Sequence, residues 1–220
     1  MMLLSANHLD RNDVTVPASE PPPFQGTRAH LRVQIEPLTH RCYGKVFNDL
    51  HSETIGYHVI PHRPYHSYIE SAHFRLETDQ IGYPVYVSVG GWREIALEAP
   101  LAPPNGFELG MPRFLDVRIH CPAPRVEYDA DNSLIHIVFN DSPECRHWAL
   151  EPHAIWSIDN HGILAALWLR DIMLDPTGKR FLKWRRRAWS CVRRDYRAGR
   201  LAIPEMPTPL SASSEKSSGL

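Results

Sequence analysis

Three histidines at four-residue spacing are the first feature of this sequence that could support chemistry. His58, His62 and His66 have the spacing at which two imidazoles on one helix face can share a metal ion. Pro61 and Pro64 lie among them, and proline interrupts a regular helix, so the spacing loses that meaning. No HExxH motif accompanies them. We therefore expect ordinary loop histidines, and a metal-dependent hydrolase that uses them is the least favoured functional hypothesis.

Carboxylates give a second candidate for chemistry. Asp129, Asp131 and Asp141 lie close together in the sequence, but the calcium-binding pattern D-x-D-x-D-G is absent. Their positions between apolar runs favour turn-forming aspartates. The sequence also lacks a G-x-S-x-G nucleophile motif and a phosphate-binding glycine loop. An enzymatic function is not favoured, and no cofactor is predicted.

The basic segment 175–200 carries the strongest functional signal. Residues 179–200 contain ten Lys or Arg and one acid, Asp195, so their net charge is +9. The whole chain carries a net charge of −1, which leaves −10 for the remainder. Asp175-Pro176-Thr177 has the composition of a helix start and Gly199 that of a helix stop. The segment is thus predicted to be one basic helix.

This helix is predicted to be amphipathic, because Phe181, Trp184, Ala188 and Val192 recur at helical spacing. The arginines mostly occupy the other faces. The residues predicted to bind a partner are Lys183, Trp184, Arg185, Arg186, Arg187, Trp189, Arg193, Arg194 and Arg197.

Three roles for the helix remain open at the level of sequence. It can dock on the protein's own acidic body, bind a protein partner, or bind nucleic acid. The leading functional hypothesis is a non-enzymatic interaction or assembly subunit of a larger protein complex, which docks through this helix and through extended termini. Nucleic-acid binding through the same helix is the alternative.

The elements that position this helix are predicted to be strands. Apolar residues alternate with polar ones at Leu31, Val33 and Ile35, and again at Val85, Val87 and Val89. Residues 92–97 are predicted as a further strand. Asp159-Asn160-His161-Gly162 has the composition of a hairpin turn. Twenty prolines in 220 residues also favour short elements. The predicted fold class is mainly β (α+β), with antiparallel sheet modules and a C-terminal amphipathic basic helix.

The stretch 126–173 resembles the DUF2283 family of small β domains, whose members have a "YD…D.LYI" opening and a later "D.DG.L.G.E" hairpin. The residues that carry the resemblance are Tyr128, Asp129, Leu134, Ile137, Asp159, Gly162, Ile163 and Leu164. The chain departs from the pattern at His161, which stands at the second acidic turn position. Leu167 or Trp168 replaces a further acid. The resemblance implies a fold and no activity, because the family has no known function.

A weaker second copy of this pattern lies around residues 42–90. Residues 74–87 can be laid over residues 155–168, since both contain an acidic turn with glycine followed by an apolar strand. Whether this similarity reflects a duplication is left open by the sequence.

The chain divides into six predicted segments: a disordered or extended arm (1–26), an N-terminal β module (27–100), a Pro/Gly-rich connection (101–113), a DUF2283-like module (114–174), the basic helix (175–200) and a disordered tail (201–220). Neither a secretory signal nor a transmembrane segment is predicted. The cysteines Cys42, Cys121, Cys145 and Cys191 are far apart and form no CxxC pair. Free thiols in a cytoplasmic protein are therefore expected.

Overall fold

The computed structural model describes residues 31–115 and 119–200. The predicted arm, 1–26, and the predicted tail, 201–220, lie outside these residues. The first half of the chain contains β1 (Val33–Glu36), β2 (Tyr43–Asp49), β3 (Thr54–Ile60), β4 (Tyr65–Glu70), β5 (Phe74–Asp79), β6 (Pro84–Gly90), α1 (Trp92–Ile95) and β7 (Leu97–Glu98).

The second half contains β8 (Glu108–Leu109), β9 (Met111–Phe114), β10 (Ile119–His120), β11 (Arg125–Asp129), β12 (Leu134–Val138), β13 (Cys145–Glu151), β14 (Ala154–Asp159), β15 (Leu164–Leu169), β16 (Met173–Leu174) and α2 (Lys179–Arg197). The described residues confirm the predicted mainly β fold with a C-terminal helix. They differ from the prediction at residues 92–97, where a helical turn precedes a two-residue strand.

The strands form two large sheets with the same connectivity. The first sheet has the order β10-β4-β5-β6-β3-β2-β16, and the second has the order β8-β13-β14-β15-β12-β11-β7. In each, five consecutive strands pair antiparallel in one arrangement, and a two-residue strand joins each edge in parallel. Residues 43–90 and 125–169 therefore share one strand arrangement, and we call them the first and the second β module.

The turns of the two modules recur 80 residues apart. Asp79 and Asp159 each accept the backbone N–H groups of the residues two and four positions later through Oδ1. Each of these turns then passes through a glycine at positive φ, Gly82 or Gly162. A carboxylate that gathers N–H donors in this way fixes a tight turn, because it satisfies donors that the strands leave unpaired.

A second pair of turns obeys the same spacing. Asp49 accepts the backbone N–H of Ser52 at 3.5 Å, and Asp129 accepts that of Asn132 at 3.0 Å. Each turn ends at a residue with positive φ that is not glycine, Glu53 at 49° and Ser133 at 51°. The two turns thus have the same backbone conformation at this position although the side chains differ.

The modules are joined by exchanged edge strands. β7 follows the first module and pairs with β11 of the second, whereas β16 follows the second module and pairs with β2 of the first. β1 and β9, which precede the two modules, pair with each other. Each module therefore covers part of the other's open edge.

One hydrophobic core runs through both modules. The ring centroids of Phe74 and Phe139 lie 5.0 Å apart, and those of Phe114 and Trp156 lie 5.6 Å apart. Trp156 is fully buried. No helix of the described residues is long and apolar enough to cross a membrane.

Candidate functional site

The candidate site is built on α2, and a buried carboxylate sets where this helix begins. Asp175 accepts the backbone N–H of Arg180 at 3.2 Å and that of Phe181 at 2.7 Å. Gly178, in the left-handed conformation, turns the chain into the first residue, Lys179. The carboxylate satisfies N–H groups that have no partner within the helix and complements its dipole. The sequence located this signal, but the helix begins four residues after Asp175.

The inward face of α2 packs on the outer side of the first sheet through aromatic side chains. The ring of Phe181 lies 5.2 Å from Phe47 and 4.3 Å from His58. Trp184 contacts Phe47 at 5.6 Å in an edge-to-face arrangement. Such pairs add stability beyond the area that they bury. The predicted apolar stripe is thus used for intramolecular docking.

Further along the helix, Ala188 and Val192 are buried together with Ile60 of β3. The hydroxyl of Tyr43 donates to Asp195 at 3.4 Å. These contacts extend the packing close to the C-terminal end of α2. The helix is consequently held against the sheet along most of its length.

The outward face of α2 is cationic. Its 19 residues span about 28 Å at the helical rise. Within the described part of the chain, none of its exposed cations forms an ion pair with a carboxylate, whereas Arg200 beyond the helix binds Asp195 at 3.0 Å. We call this surface the basic face; it comprises Lys179, Lys183, Arg186, Arg187, Arg193, Arg194 and Arg197.

The nine residues predicted to bind a partner therefore divide into two groups. All of the predicted cations are exposed, with Arg185 at the side of the helix rather than on the basic face. Trp184 and Trp189 are only partly exposed, and the ring of Trp189 lies 6.1 Å from His62. The structure brings the cations together on the surface, whereas Trp184 packs on the sheet and Trp189 lies half-buried at the edge of the helix.

A narrow apolar ridge borders the basic face. Leu182, Trp189 and Tyr196 recur every seven residues, which places them on one side of a helix. Leu182 is 49% exposed and Tyr196 is 55% exposed. We call these three residues the apolar ridge.

A pocket of about 230 Å³ opens between α2 and the outer side of the first sheet. Its floor is a row of three residues on adjacent strands, because His58 pairs with Tyr86 and Tyr86 pairs with Glu77. Trp184 and Arg185 of α2 form part of its wall. Local sequence patterns do not reveal this pocket, since its residues come from three strands, a loop and a helix.

Gly56 allows Tyr86 to lie close to the sheet. A Cβ atom at position 56 would come within 2.9 Å of the ring atom Cε2 and of the hydroxyl oxygen of Tyr86. Any side chain there would push the ring away. The Tyr86 ring is 4.3 Å from that of His58, and burial raises the pKa of the Tyr86 hydroxyl above its ordinary value.

His58 is uncharged at neutral pH. Burial lowers its pKa to about 4, and the nearby Arg185 and His62 add to this effect. Its ring lies between Phe181 and Tyr86, at 4.3 Å from each. Its role in the structure is that of a neutral aromatic ring.

The other two histidines of the spaced set have separate surroundings. Nδ1 of His62 lies 2.8 Å from the carbonyl oxygen of Arg63, and Nδ1 of His66 lies 2.7 Å from the hydroxyl of Ser67. In residues 31–115 and 119–200, no group of three His, Cys, Asp or Glu side chains is arranged to hold a metal ion. The structure thus does not bring the three histidines together as a ligand set.

The predicted turn aspartates have structural partners. Asp129 accepts the backbone N–H of Leu101 at 2.9 Å and two donors of Asn132, and these bonds lower the pKa of its carboxyl. Asp141 binds Arg125 at 3.2 Å. Hairpin and loop formation accounts for both residues.

Glu151, a buried carboxylate at the boundary between the two modules, was not singled out by any sequence pattern. Glu151 of β13 lies above Gly44 of β2, where an added Cβ atom would be 2.3 Å from Oε1. Burial raises the pKa of Glu151 above its ordinary value. Oε2 accepts the backbone N–H of His153 at 3.0 Å.

No family model matches this chain, and a search of curated proteins finds no match for it.

Proposed function

We propose that this protein binds nucleic acid through the basic face of α2. The observation that carries the proposal is the row of exposed cations on a helix packed against a sheet, cations that pair with no carboxylate among residues 31–115 and 119–200. Contacts between Lys or Arg and phosphate supply most of the sequence-independent affinity of proteins for nucleic acid. A fixed helix also loses less conformational entropy on binding than a free segment would.

The inward position of the aromatic residues supports nucleic acid over a protein partner. Aromatic and arginine side chains are the usual anchors of protein interfaces. In α2, Phe181 and Trp184 already contact Phe47 of the same chain. What remains on the basic face is charge, and charge suits a polyanion.

Charge reversal on the basic face tests the proposal. The variant Arg186→Glu/Arg194→Glu should weaken binding of the full chain to a labelled single strand by at least 10-fold at low salt, because it replaces phosphate contacts with repulsion. The matched control is Arg93→Glu/Arg146→Glu, which changes the net charge equally at exposed positions outside α2. The two variants should differ clearly in affinity. Equal loss in both, or no binding of RNA or DNA by the wild type, would overturn the proposal.

The apolar ridge supports a second candidate function, that of an interaction or assembly subunit that binds a protein partner through α2. Leu182 and Tyr196 are exposed although they are apolar or aromatic, and such groups are used for protein contact when they cluster. Purification from the native source with the wild type and with Leu182→Asp/Tyr196→Asp tests this role. A partner that is retained by the wild type and lost with the variant supports it, whereas recovery as a lone monomer counts against it.

We also propose that the second module belongs with the DUF2283-like β domains. The turns at Asp129 and Asp159 support this relationship, because both carboxylates accept backbone N–H groups where the family pattern has acidic turn residues. The first module, with its equivalent turns at Asp49 and Asp79, would then be a second copy. A resemblance of this kind indicates a fold. The proposed function depends instead on the site on α2.

A further inference from the structure

The pocket beside α2 is not used by the contacts proposed for the basic face. It has an aromatic floor, a carboxylate at one end and a guanidinium in its wall: His58 and Tyr86, Glu77, and Arg185. Its volume of about 230 Å³ is below the roughly 300–1,000 Å³ of pockets for drug-sized ligands. It is suited to one planar group rather than to an extended molecule.

The rings of the pocket form a short stack. Phe181, His58 and Tyr86 follow one another at 4.3 Å, with interplanar angles of 36° and 31°. His58 lies inside this row, between Phe181 and Tyr86, so a base would stack on the ring of Tyr86 at the end of the row. Stacking on aromatic side chains is the contact that every nucleobase can make.

The polar groups of the pocket determine which hydrogen-bonding groups a ligand must carry along its edge. Glu77 accepts a hydrogen bond from Nε of Arg75 through Oε1, at 3.0 Å. Its Oε2 has no hydrogen-bond partner in the part of the chain that the structure describes. An ionised carboxylate only accepts hydrogen bonds, so a ligand at this position must supply N–H or O–H donors. Arg185, exposed in the wall, supplies a site for an anion.

We propose that this pocket binds one guanine base of a single strand that lies on the basic face. Guanine presents two adjacent N–H donors on its Watson–Crick edge, N1–H and N2–H, and these match the carboxylate of Glu77. Its 5′ phosphate would reach Arg185. Adenine and cytosine each offer only an amino group on that edge, and uracil offers a single N–H. The inference rests on the proposed function and adds a base preference to it.

The preference can be measured with single strands that differ at a few bases. The probes are a 12-nucleotide uridine strand and the same strand carrying guanosine, inosine or adenosine at three separated positions. The guanosine strand should bind the full chain about 10-fold more tightly than the adenosine strand, which corresponds to one well-placed bidentate contact. The inosine strand should lie between them because inosine lacks the N2 amino group.

Two variants connect the preference to the pocket. Glu77→Gln keeps the size of the side chain and should equalise the guanosine and adenosine strands, because it removes the carboxylate that the N1–H and N2–H donors match. Tyr86→Leu should weaken binding of the guanosine strand. This variant provides a second test of the pocket if Glu77→Gln alters the fold. Circular dichroism and thermal unfolding establish that each variant is folded.

The possible results separate the pocket from the basic face. If all strands bind equally and Glu77→Gln changes nothing, the base preference is overturned while the proposed function stands. If no strand binds, guanosine monophosphate is titrated while the ring signals of His58 and Tyr86 are followed by NMR. Shifts that Glu77→Gln abolishes would keep the pocket as a site for a free nucleotide and overturn nucleic-acid binding. Absence of shifts would overturn both.

Discussion

The outer sides of the two β modules differ at equivalent positions, although their strand order and turns agree. Phe47, His58 and Tyr86 of the first module correspond, 80 residues later, to Glu127, Val138 and Ala166 of the second. The first set receives the aromatic residues of α2 and lines the pocket. The repeated features therefore specify the fold, and the differing ones specify what each sheet can bind.

The second module uses its outer side for internal contacts instead. Glu127 lies 2.8 Å from Nδ1 of His136, and the ring of His136 stacks on Trp168 at 3.7 Å. Glu127 also binds Arg125 at 3.0 Å. At this place the first module has Phe47 opposite Gly56. One scaffold thus supports either a polar cluster or an aromatic seat for a helix.

Replacing Phe47 by the residue at the equivalent position of the second module, glutamate, should have the largest effect on stability. Phe47→Glu would place a carboxylate beneath the rings of Phe181 and Trp184. The loss should exceed the 3–5 kcal/mol that is typical of removing a buried Phe side chain, because a buried charge is added. Urea unfolding measures the loss, and limited proteolysis should show faster cleavage in α2.

Phe47→Leu is the control for this substitution. It keeps an apolar side chain and should cost only about 1–1.5 kcal/mol. If Phe47→Glu were no more destabilising than Phe47→Leu, the helix would not depend on this aromatic seat.

The boundary between the modules should be the next most sensitive place. Gly44→Ala brings a Cβ atom against Oε1 of Glu151 and the ring of Tyr57. Overpacking of this kind typically costs about 1–3 kcal/mol. Gly106→Ala is the matched control, since no atom lies within 4 Å of the added Cβ. Differential scanning calorimetry should show a lower melting temperature for Gly44→Ala alone, and equal melting temperatures would contradict the close contact.

Glu151 makes the boundary sensitive to pH. Position 151 corresponds to Ser71 of the first module, and only the second module places a carboxylate there. Burial raises the pKa of Glu151 above its ordinary value of 4.5, so the folded state holds the proton more tightly than the unfolded chain. The contribution of this group to stability must therefore fall as the pH rises from about 4.5 through the raised value.

Glu151→Gln keeps the shape of the side chain and removes this titration. Relative to wild type, the variant should become more stable between about pH 4.5 and about pH 7.5. Urea unfolding at both pH values measures the difference. A stability difference that does not change with pH would show that the carboxylate does not titrate in this window.

Equivalent substitutions in the two repeated turns should change the free energy of unfolding by similar amounts, and these changes should be the smallest of those predicted here. Glu53 and Ser133 adopt the left-handed conformation at φ values of 49° and 51°. Asparagine tolerates this conformation better than most residues do. Glu53→Asn and Ser133→Asn should each raise the free energy of unfolding by about 0.5 kcal/mol. Opposite signs for the two variants would contradict the equivalence of the turns.

The sequence predicted those parts of the fold that depend on local patterns. Alternation at Val85, Val87 and Val89 predicted β6, and all three side chains are buried. The basic helix was also predicted, since its apolar stripe and its end signals are local. Residues 92–97 were predicted as a strand, but Gly91, in the left-handed conformation, directs residues 92–95 into a helical turn.

Features that join distant parts of the chain could not be predicted from the sequence. The exchanged strands β7 and β16 are two residues long and leave no periodic signal. The pocket combines Glu77, Tyr86 and Arg185 from separate elements. Tryptophan is common both in protein cores and at interfaces, so the sequence alone does not give Trp184 a role. Its contact with Phe47 shows that it docks the helix on the sheet.

The salt dependence of binding tests the central claim most directly. For single strands, the slope of log affinity against log salt is roughly −0.7 per phosphate contact. Arg186→Gln/Arg194→Gln should reduce the slope of the wild type by about 1.4, and Arg93→Gln/Arg146→Gln should leave it unchanged. Identical slopes for wild type and both variants, or an affinity that does not vary with salt, would contradict phosphate recognition by the basic face.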